Sequence, residues 1–171
     1  MQPSFYKWTH VDKRRYALAL VPLVFASIMT AIVLSRYSIW LVAAWAGIYL
    51  LINVFQAGCC VGCPYRGRYC PAIMGIYLSN WLSHRIYNDR EFDQAFFQRN
   101  ATAAEVVLVL FILFPVYWLW LSAWVLIPAY FALLAAHFVL FMPTQCEHCS
   151  YNDTCPGGQT WLKCKRIFRL G

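Results

Sequence analysis

Long apolar segments alternate with short polar ones along this chain. Residues 16–35 and 38–57 contain no charged side chain, and each run matches the roughly 20 residues that a helix needs to cross a bilayer core. The uncharged run 106–142 would extend about 55 Å as one helix, which exceeds the core thickness of about 30 Å. It must therefore fold back near residues 122–128. The pattern predicts four membrane spans, at 16–35, 38–57, 104–122 and 126–142.

Composition agrees with this pattern. The 171 residues are 61% hydrophobic and only 12% charged, whereas soluble domains carry about 25% charged residues. In lipid, every backbone polar group must be satisfied within the protein, so the spans are expected to be helices. We therefore expect an all-α integral membrane protein in contact with the lipid bilayer. It forms a single domain, 1–171, of four transmembrane helices arranged as two tandem hairpins, each followed by a cytoplasmic cysteine loop.

The basic residues indicate an orientation. Of the 14 Lys and Arg residues, all except Arg36 lie before the first span, between the second and third, or after the fourth. Basic residues near membrane spans collect on the cytoplasmic side, so both termini are predicted to be cytoplasmic in this multi-pass protein. The net charge of +7 is explained by this topology and by anionic headgroups. Nucleic acid is not expected as a partner.

All eight cysteines follow the second and fourth spans, on the predicted cytoplasmic side. The loop at 58–71 contains Cys59, Cys60, Cys63 and Cys70, and the loop at 145–165 contains Cys146, Cys149, Cys155 and Cys164. Structural disulfides are rare in a reducing compartment, where such spacings more often bind metals or act in catalysis. A metal is therefore the first hypothesis for these thiols.

The two loops resemble each other. CVGCPYRGRYCP, from Cys60, and CEHCSYNDTCPG, from Cys146, share the pattern C-x2-C-x-Y and then a cysteine followed by proline. Each copy follows a predicted hairpin, which suggests a duplicated unit. Cys59 and Cys164 supply a fourth thiol to each unit, either to its own loop or exchanged between the loops. In a further alternative, Cys59 is a buried side chain that binds nothing.

Four thiolates suit either tetrahedral zinc or an iron–sulfur cluster. Cysteine followed by proline, after a C-x2-C pair, resembles the cluster-binding runs of bacterial ferredoxins, although their closely spaced third cysteine is absent here. Structural zinc sites more often contain two C-x2-C pairs, whereas each loop has one. The sequence therefore predicts two [4Fe–4S] clusters, with two zinc ions as the alternative, and all eight cysteines as candidate ligands.

Two further segments bear on function. Residues 72–87 place apolar side chains at helical spacing, which predicts a helix lying in the headgroup region. Glu105 lies near the cytoplasmic end of the third span, and ionisable groups in membranes are functional candidates. Its candidate partners are His137 and Asn53, and it is the candidate catalytic residue for proton exchange with a quinone. The alternative is that Glu105 lies at the membrane interface and is solvated.

Together these features predict a membrane-anchored iron–sulfur electron-transfer protein. It would relay electrons between a soluble cytosolic donor and a quinone or a membrane subunit, and the sequence leaves open whether it is itself an oxidoreductase. The alternative is a non-redox membrane protein with two structural zinc–thiolate sites that acts through partners or transport.

Overall fold

The computed structural model describes residues 9–61, 63, 66, 78–88, 90–149, 153 and 155–167. These residues form helices and no strands. The helices are α1 (His10–Tyr37), α2 (Ile39–Cys59), α3 (Leu78–Ile86), α4 (Gln94–Leu113), α5 (Val116–Ser122), α6 (Leu126–Gln145) and α7 (Pro156–Ile167), with a 3₁₀ turn at Cys146–His148. By length and composition, α1, α2, the α4–α5 segment and α6 can each cross a membrane. The prediction of an all-helical protein with four such helices is confirmed.

Local hydrogen bonds explain where α1 begins and where α2 follows it. Thr9 caps α1 by accepting from the Asp12 amide at 3.2 Å, while the Asp12 carboxylate accepts from the Thr9 amide at 2.9 Å, a capping box. Ser38 ends α1 by donating its amide to the Leu34 carbonyl at 3.0 Å. Its hydroxyl then accepts from the Trp40 amide at 3.2 Å. One residue therefore separates the first two spans.

The chain turns again between α5 and α6. Helix α5 ends at Ser122 and α6 begins at Leu126, within the interval where the sequence predicts the reversal. The side chains of Leu119 on α5 and Tyr130 on α6 are buried in one apolar cluster with Val33 of α1. Helix α4 ends at Leu113 and α5 begins at Val116, so the third span is interrupted at Phe114 and Pro115. Both parts of the span still pack into the core of the bundle.

The most extensive helix contacts pair α2 with α4 and α1 with α6. Between α2 and α4, the rings of Trp45 and Phe111 stack at 4.7 Å, and Ile52 is buried against Val107 and Phe111. These contacts join the first two spans to the last two rather than pairing helices only within a hairpin. The tandem repeat of two hairpin units stays a prediction.

Large apolar side chains cover the outer surface of the spans. Trp40, Val139 and Leu18 are 79%, 70% and 65% exposed. Exposed apolar faces of this extent suit a lipid environment, which agrees with the length and composition of the helices.

Helix α3 lies against the end of α2 that precedes the first cysteine loop. The Ser79 hydroxyl donates to Asn53 Oδ1 at 3.0 Å, and Ser79 and Asn53 are both buried. Trp81 is 55% exposed, so the helix has one packed face and one open face. The sequence predicts a helix at 72–87; its described part is Leu78–Ile86, and residues 72–77 lie outside the described residues.

Candidate functional site

Both C-x2-C segments form the same backbone turn. The amide of Cys63 donates to the carbonyl of Cys60 at 3.1 Å, and the amide of Cys149 donates to the carbonyl of Cys146 at 3.4 Å. Such a hydrogen bond across four residues brings the two ends of the segment close together. The resemblance between the loops therefore extends from sequence to local conformation.

The structure brings thiols of the two loops together. The Cys59 side chain is close enough to interact electrostatically with Cys63 of its own loop and with Cys149 and Cys155 of the other. Cys146 interacts in the same way with Cys149 and Cys155. We call this group of five the thiol cluster: Cys59, Cys63, Cys146, Cys149 and Cys155. Cys149 and Cys155 each interact with Cys59 of the first loop and Cys146 of the second, and so connect the two loops.

Burial affects the protonation of this cluster. Removal of Cys146 from water, together with its neighbours Cys149 and Cys155, raises the pKa of the Cys146 thiol to about 12. At neutral pH this side chain is a thiol when no cation is bound. A bound metal cation reverses this preference because it stabilises the thiolate directly.

The chain that follows Cys155 is a helix, where the sequence predicts a cysteine loop that continues to residue 165. Helix α7 begins at Pro156, a residue favoured at the first helical position because its missing amide hydrogen needs no partner there. Glu147 anchors the helix: its carboxylate accepts from Trp161 Nε1 at 2.9 Å and pairs with Lys165 Nζ at 2.8 Å. These contacts hold α7 against the C-x2-C turn of the second loop.

Helix α7 separates Cys164 from the thiol cluster. Cys164 follows Cys155 by nine residues, which corresponds to about 13 Å along a helix axis and two and a half turns. Cys155 immediately precedes α7, whereas Cys164 lies in the third turn of the helix, so their backbone positions are separated along the helix axis. The assignment of Cys164 as the fourth ligand, either of its own loop or of the other, stays a prediction.

The side chain of Glu105, on α4, lies against the first turn of α7. Its carboxylate accepts a hydrogen bond from the backbone amide of Gly157 and interacts electrostatically with the thiol of Cys59. A Cβ atom added to Gly157 would lie 3.8 Å from Glu105 Oε1 and 4.0 Å from Cys155 Sγ. The carboxylate and the thiol of Cys155 therefore flank the same helix end, where the helix dipole favours negative charge.

The predicted pairing of Glu105 with His137 or Asn53 is wrong. His137 Nδ1 donates to the carbonyl of Ala19 at 2.6 Å, which ties α6 to α1. Asn53 donates to the Tyr49 carbonyl at 2.8 Å and accepts from Ser79. His137 and Asn53 therefore bond to residues other than Glu105, and Glu105 bonds to the amide of Gly157 in α7, a helix that the sequence does not predict.

Arg66 is a structural residue of the site that sequence analysis does not identify. Its Nη2 atom donates to the carbonyls of Ser83 and Tyr87, both at 2.9 Å. Arg66 therefore ties the first cysteine loop to the end of α3. In the sequence it is one of several basic residues counted for topology, and no local pattern marks this contact.

The described thiols are reduced but are not arranged as a finished metal site. Seven cysteines form no disulfide and are partly exposed, and Cys70 lies outside the described residues. Within the described parts of the chain, no three His, Cys, Asp or Glu side chains form a group that could hold a metal ion. Two metal centres with four ligands each therefore stay a prediction.

These features define a class: a helical protein with four helices able to span a membrane and a cluster of thiols at one end of the bundle. No protein-family model, curated protein or solved structure matches the chain.

Proposed function

We propose that this chain is a membrane-anchored iron–sulfur protein that relays electrons between a soluble donor and a quinone or a membrane partner. The observation that carries the proposal is the approach of Cys59, from one loop, to Cys149 and Cys155, from the other. Thiolate sulfur is the ligand type that selects iron–sulfur clusters and zinc. A thiolate-bound iron centre at a membrane surface can pass electrons between a soluble protein and a partner in the membrane.

The ligands of the proposed centres come from both halves of the chain. Cys59 and Cys155 belong to different loops and interact electrostatically, so a cluster bound to one loop would lie beside the other. Cys60 and Cys70 complete the available thiols of the first loop. Metal sites commonly reach ligand geometry only when the metal binds, and we propose that binding draws these thiolates together.

The proposal includes an orientation of the bundle in the membrane. The loop end of the bundle would face the cytoplasm, because the basic residues flank that end of every span. A reducing compartment keeps the cysteines available as thiolate ligands. A soluble donor would then reach the clusters directly, and the quinone would enter from the lipid.

Reduction of a quinone to a quinol consumes two electrons and two protons. The clusters would supply the electrons one at a time, so the protein must also provide a route for protons. Glu105 is partly exposed and lies near Cys59, which makes it our candidate for proton delivery. Its hydrogen bond with the Gly157 amide would hold the carboxylate beside the thiol cluster.

We expect Glu105→Gln to slow quinone reduction about 100-fold or more, since a positioned acid or base contributes roughly 10²–10⁴-fold. The amide keeps an oxygen that can accept from Gly157, so the contact with α7 should survive. The measurement follows re-oxidation of dithionite-reduced protein by a short-chain quinone, using visible absorption at matched cluster content.

Glu91→Gln is the matched control, because Glu91 is exposed and precedes α4. It should leave the rate unchanged. Equal rates in wild type and Glu105→Gln would exclude proton delivery by Glu105 and leave it only the structural contact with α7. A reduced wild-type protein that no quinone re-oxidises would overturn quinone as the acceptor.

A further inference from the structure

A groove opens between the beginning of α1 and the end of α6. Its volume is about 320 Å³, and its lining includes Arg15 and Leu18 from α1 and Val139, Leu140 and Pro143 from α6. Helix α6 ends at Gln145, just before Cys146, so the groove lies at the loop end of the bundle. It is separate from the contacts that assemble the thiol cluster.

Polarity changes along this groove. Arg15 is exposed and lies five residues into α1, at the level of the last turn of α6. Leu18, one turn deeper, is 65% exposed, and Val139 and Leu140 are 70% and 47% exposed. The groove therefore presents a cation at the end of the bundle and an apolar wall toward the middle of the span.

Among the described residues, the guanidinium of Arg15 is not paired with a carboxylate. The nearby Asp12 carboxylate, which also lines the groove, already accepts from the amide and the hydroxyl of Thr9 at 2.9 and 2.6 Å. Because Lys13 and Arg14 directly precede Arg15 in sequence, this turn of α1 has a net positive charge that attracts anions at the headgroup level.

We propose that this groove binds one anionic phospholipid, with the phosphate against Arg15 and an acyl chain along Leu18, Val139 and Leu140. Charge complementarity selects the headgroup, and the exposed apolar wall accommodates the chain. The Thr144 hydroxyl at the groove mouth donates to the carbonyls of Leu140 and Phe141, at 3.3 and 2.8 Å, so Arg15 is the donor that the phosphate meets. The proposal does not depend on the metal or on electron transfer.

The test compares wild type, Arg15→Gln and Arg14→Gln by native mass spectrometry after titration with dioleoylphosphatidylglycerol or dioleoylphosphatidylcholine. Arg14 is also exposed but does not line the groove, so both variants lose the same charge at neighbouring positions. Wild type should retain one phosphatidylglycerol in preference to phosphatidylcholine. Arg15→Gln should bind phosphatidylglycerol about fivefold more weakly, the effect expected for one basic side chain, and Arg14→Gln should resemble wild type.

Three results would overturn the proposal. Equal loss in both arginine variants would indicate general attraction to anionic headgroups without a site. Equal retention of the two lipids by wild type would show that the groove does not select charge, and displacement of the bound lipid by millimolar inorganic phosphate would assign the site to free phosphate. Thermal melting of each variant in detergent checks that folding is intact.

Discussion

Cys155→Ser is expected to remove about half or more of the bound iron and to alter the spectrum of any iron that remains. Cys155, like Cys149, interacts with thiols of both loops, Cys59 in one and Cys146 in the other. Serine is nearly the same size but lacks the soft sulfur that binds these clusters. Iron and acid-labile sulfide per chain, with the electron paramagnetic resonance spectrum of the reduced protein, provide the measurement.

Cys164→Ser is the comparison for this variant. Cys164 lies within α7, nine residues after Cys155, so its replacement should affect the iron associated with Cys155 less. Loss of one centre with an unchanged spectrum from the other, after Cys155→Ser, would favour two independent local sites. Full iron content in Cys155→Ser would contradict a role for this thiol as a ligand.

Gly58→Ala should destabilise the protein by about 1–3 kcal/mol, the usual effect of overpacking a tight contact. A Cβ atom at Gly58 would lie within 2.8 Å of three side-chain atoms of Asn100. The Asn100 side chain is buried and donates to the Phe96 carbonyl at 2.9 Å, so it cannot move aside freely. The added methyl group would instead push α2 away from α4 beside Cys59. Thermal melting in detergent measures the effect.

Gly47→Ala is the matched control on the same helix. A Cβ atom at Gly47 meets nothing within 4 Å, so this change should be neutral or stabilising by up to about 1 kcal/mol, because alanine favours helix over glycine. Equal melting temperatures for the two variants would contradict the close approach of α2 and α4 at Gly58.

The spans could be predicted because their signal is local. An uncharged run such as 38–57 reports its own environment, and the 106–142 run is too long to be one span. The exact ends needed more information. Helix α1 begins at His10, before the apolar run, because the capping box of Thr9 with Asp12 extends it through a basic segment.

The contacts of the site could not be predicted because they join distant parts of the chain. Glu105 bonds to the beginning of α7, a segment that the sequence analysis assigns to a cysteine loop and in which Gly157 and Gly158 disfavour a helix. Contacts of Glu147 with Trp161 and Lys165 stabilise the helix in spite of these glycines. Pro156 was a usable signal for its start.

The thiol cluster was predictable only in part. The repeated C-x2-C pattern identified the cysteines, and the charge bias placed both loops on one side of the bundle. Which thiols approach each other depends on the packing of α2 with α4 and of α1 with α6. The connection of the two loops through Cys149 and Cys155 therefore emerges only from the three-dimensional arrangement.

The most direct test of the central claim is metal and sulfide analysis with a visible absorption spectrum, on protein purified without oxygen. If the thiol cluster takes part in two [4Fe–4S] centres, the protein should contain about eight iron and eight sulfide per chain. It should also show broad thiolate-to-iron absorption that dithionite bleaches. A colourless protein that contains stoichiometric zinc and no sulfide would contradict the electron-transfer account and support structural zinc sites.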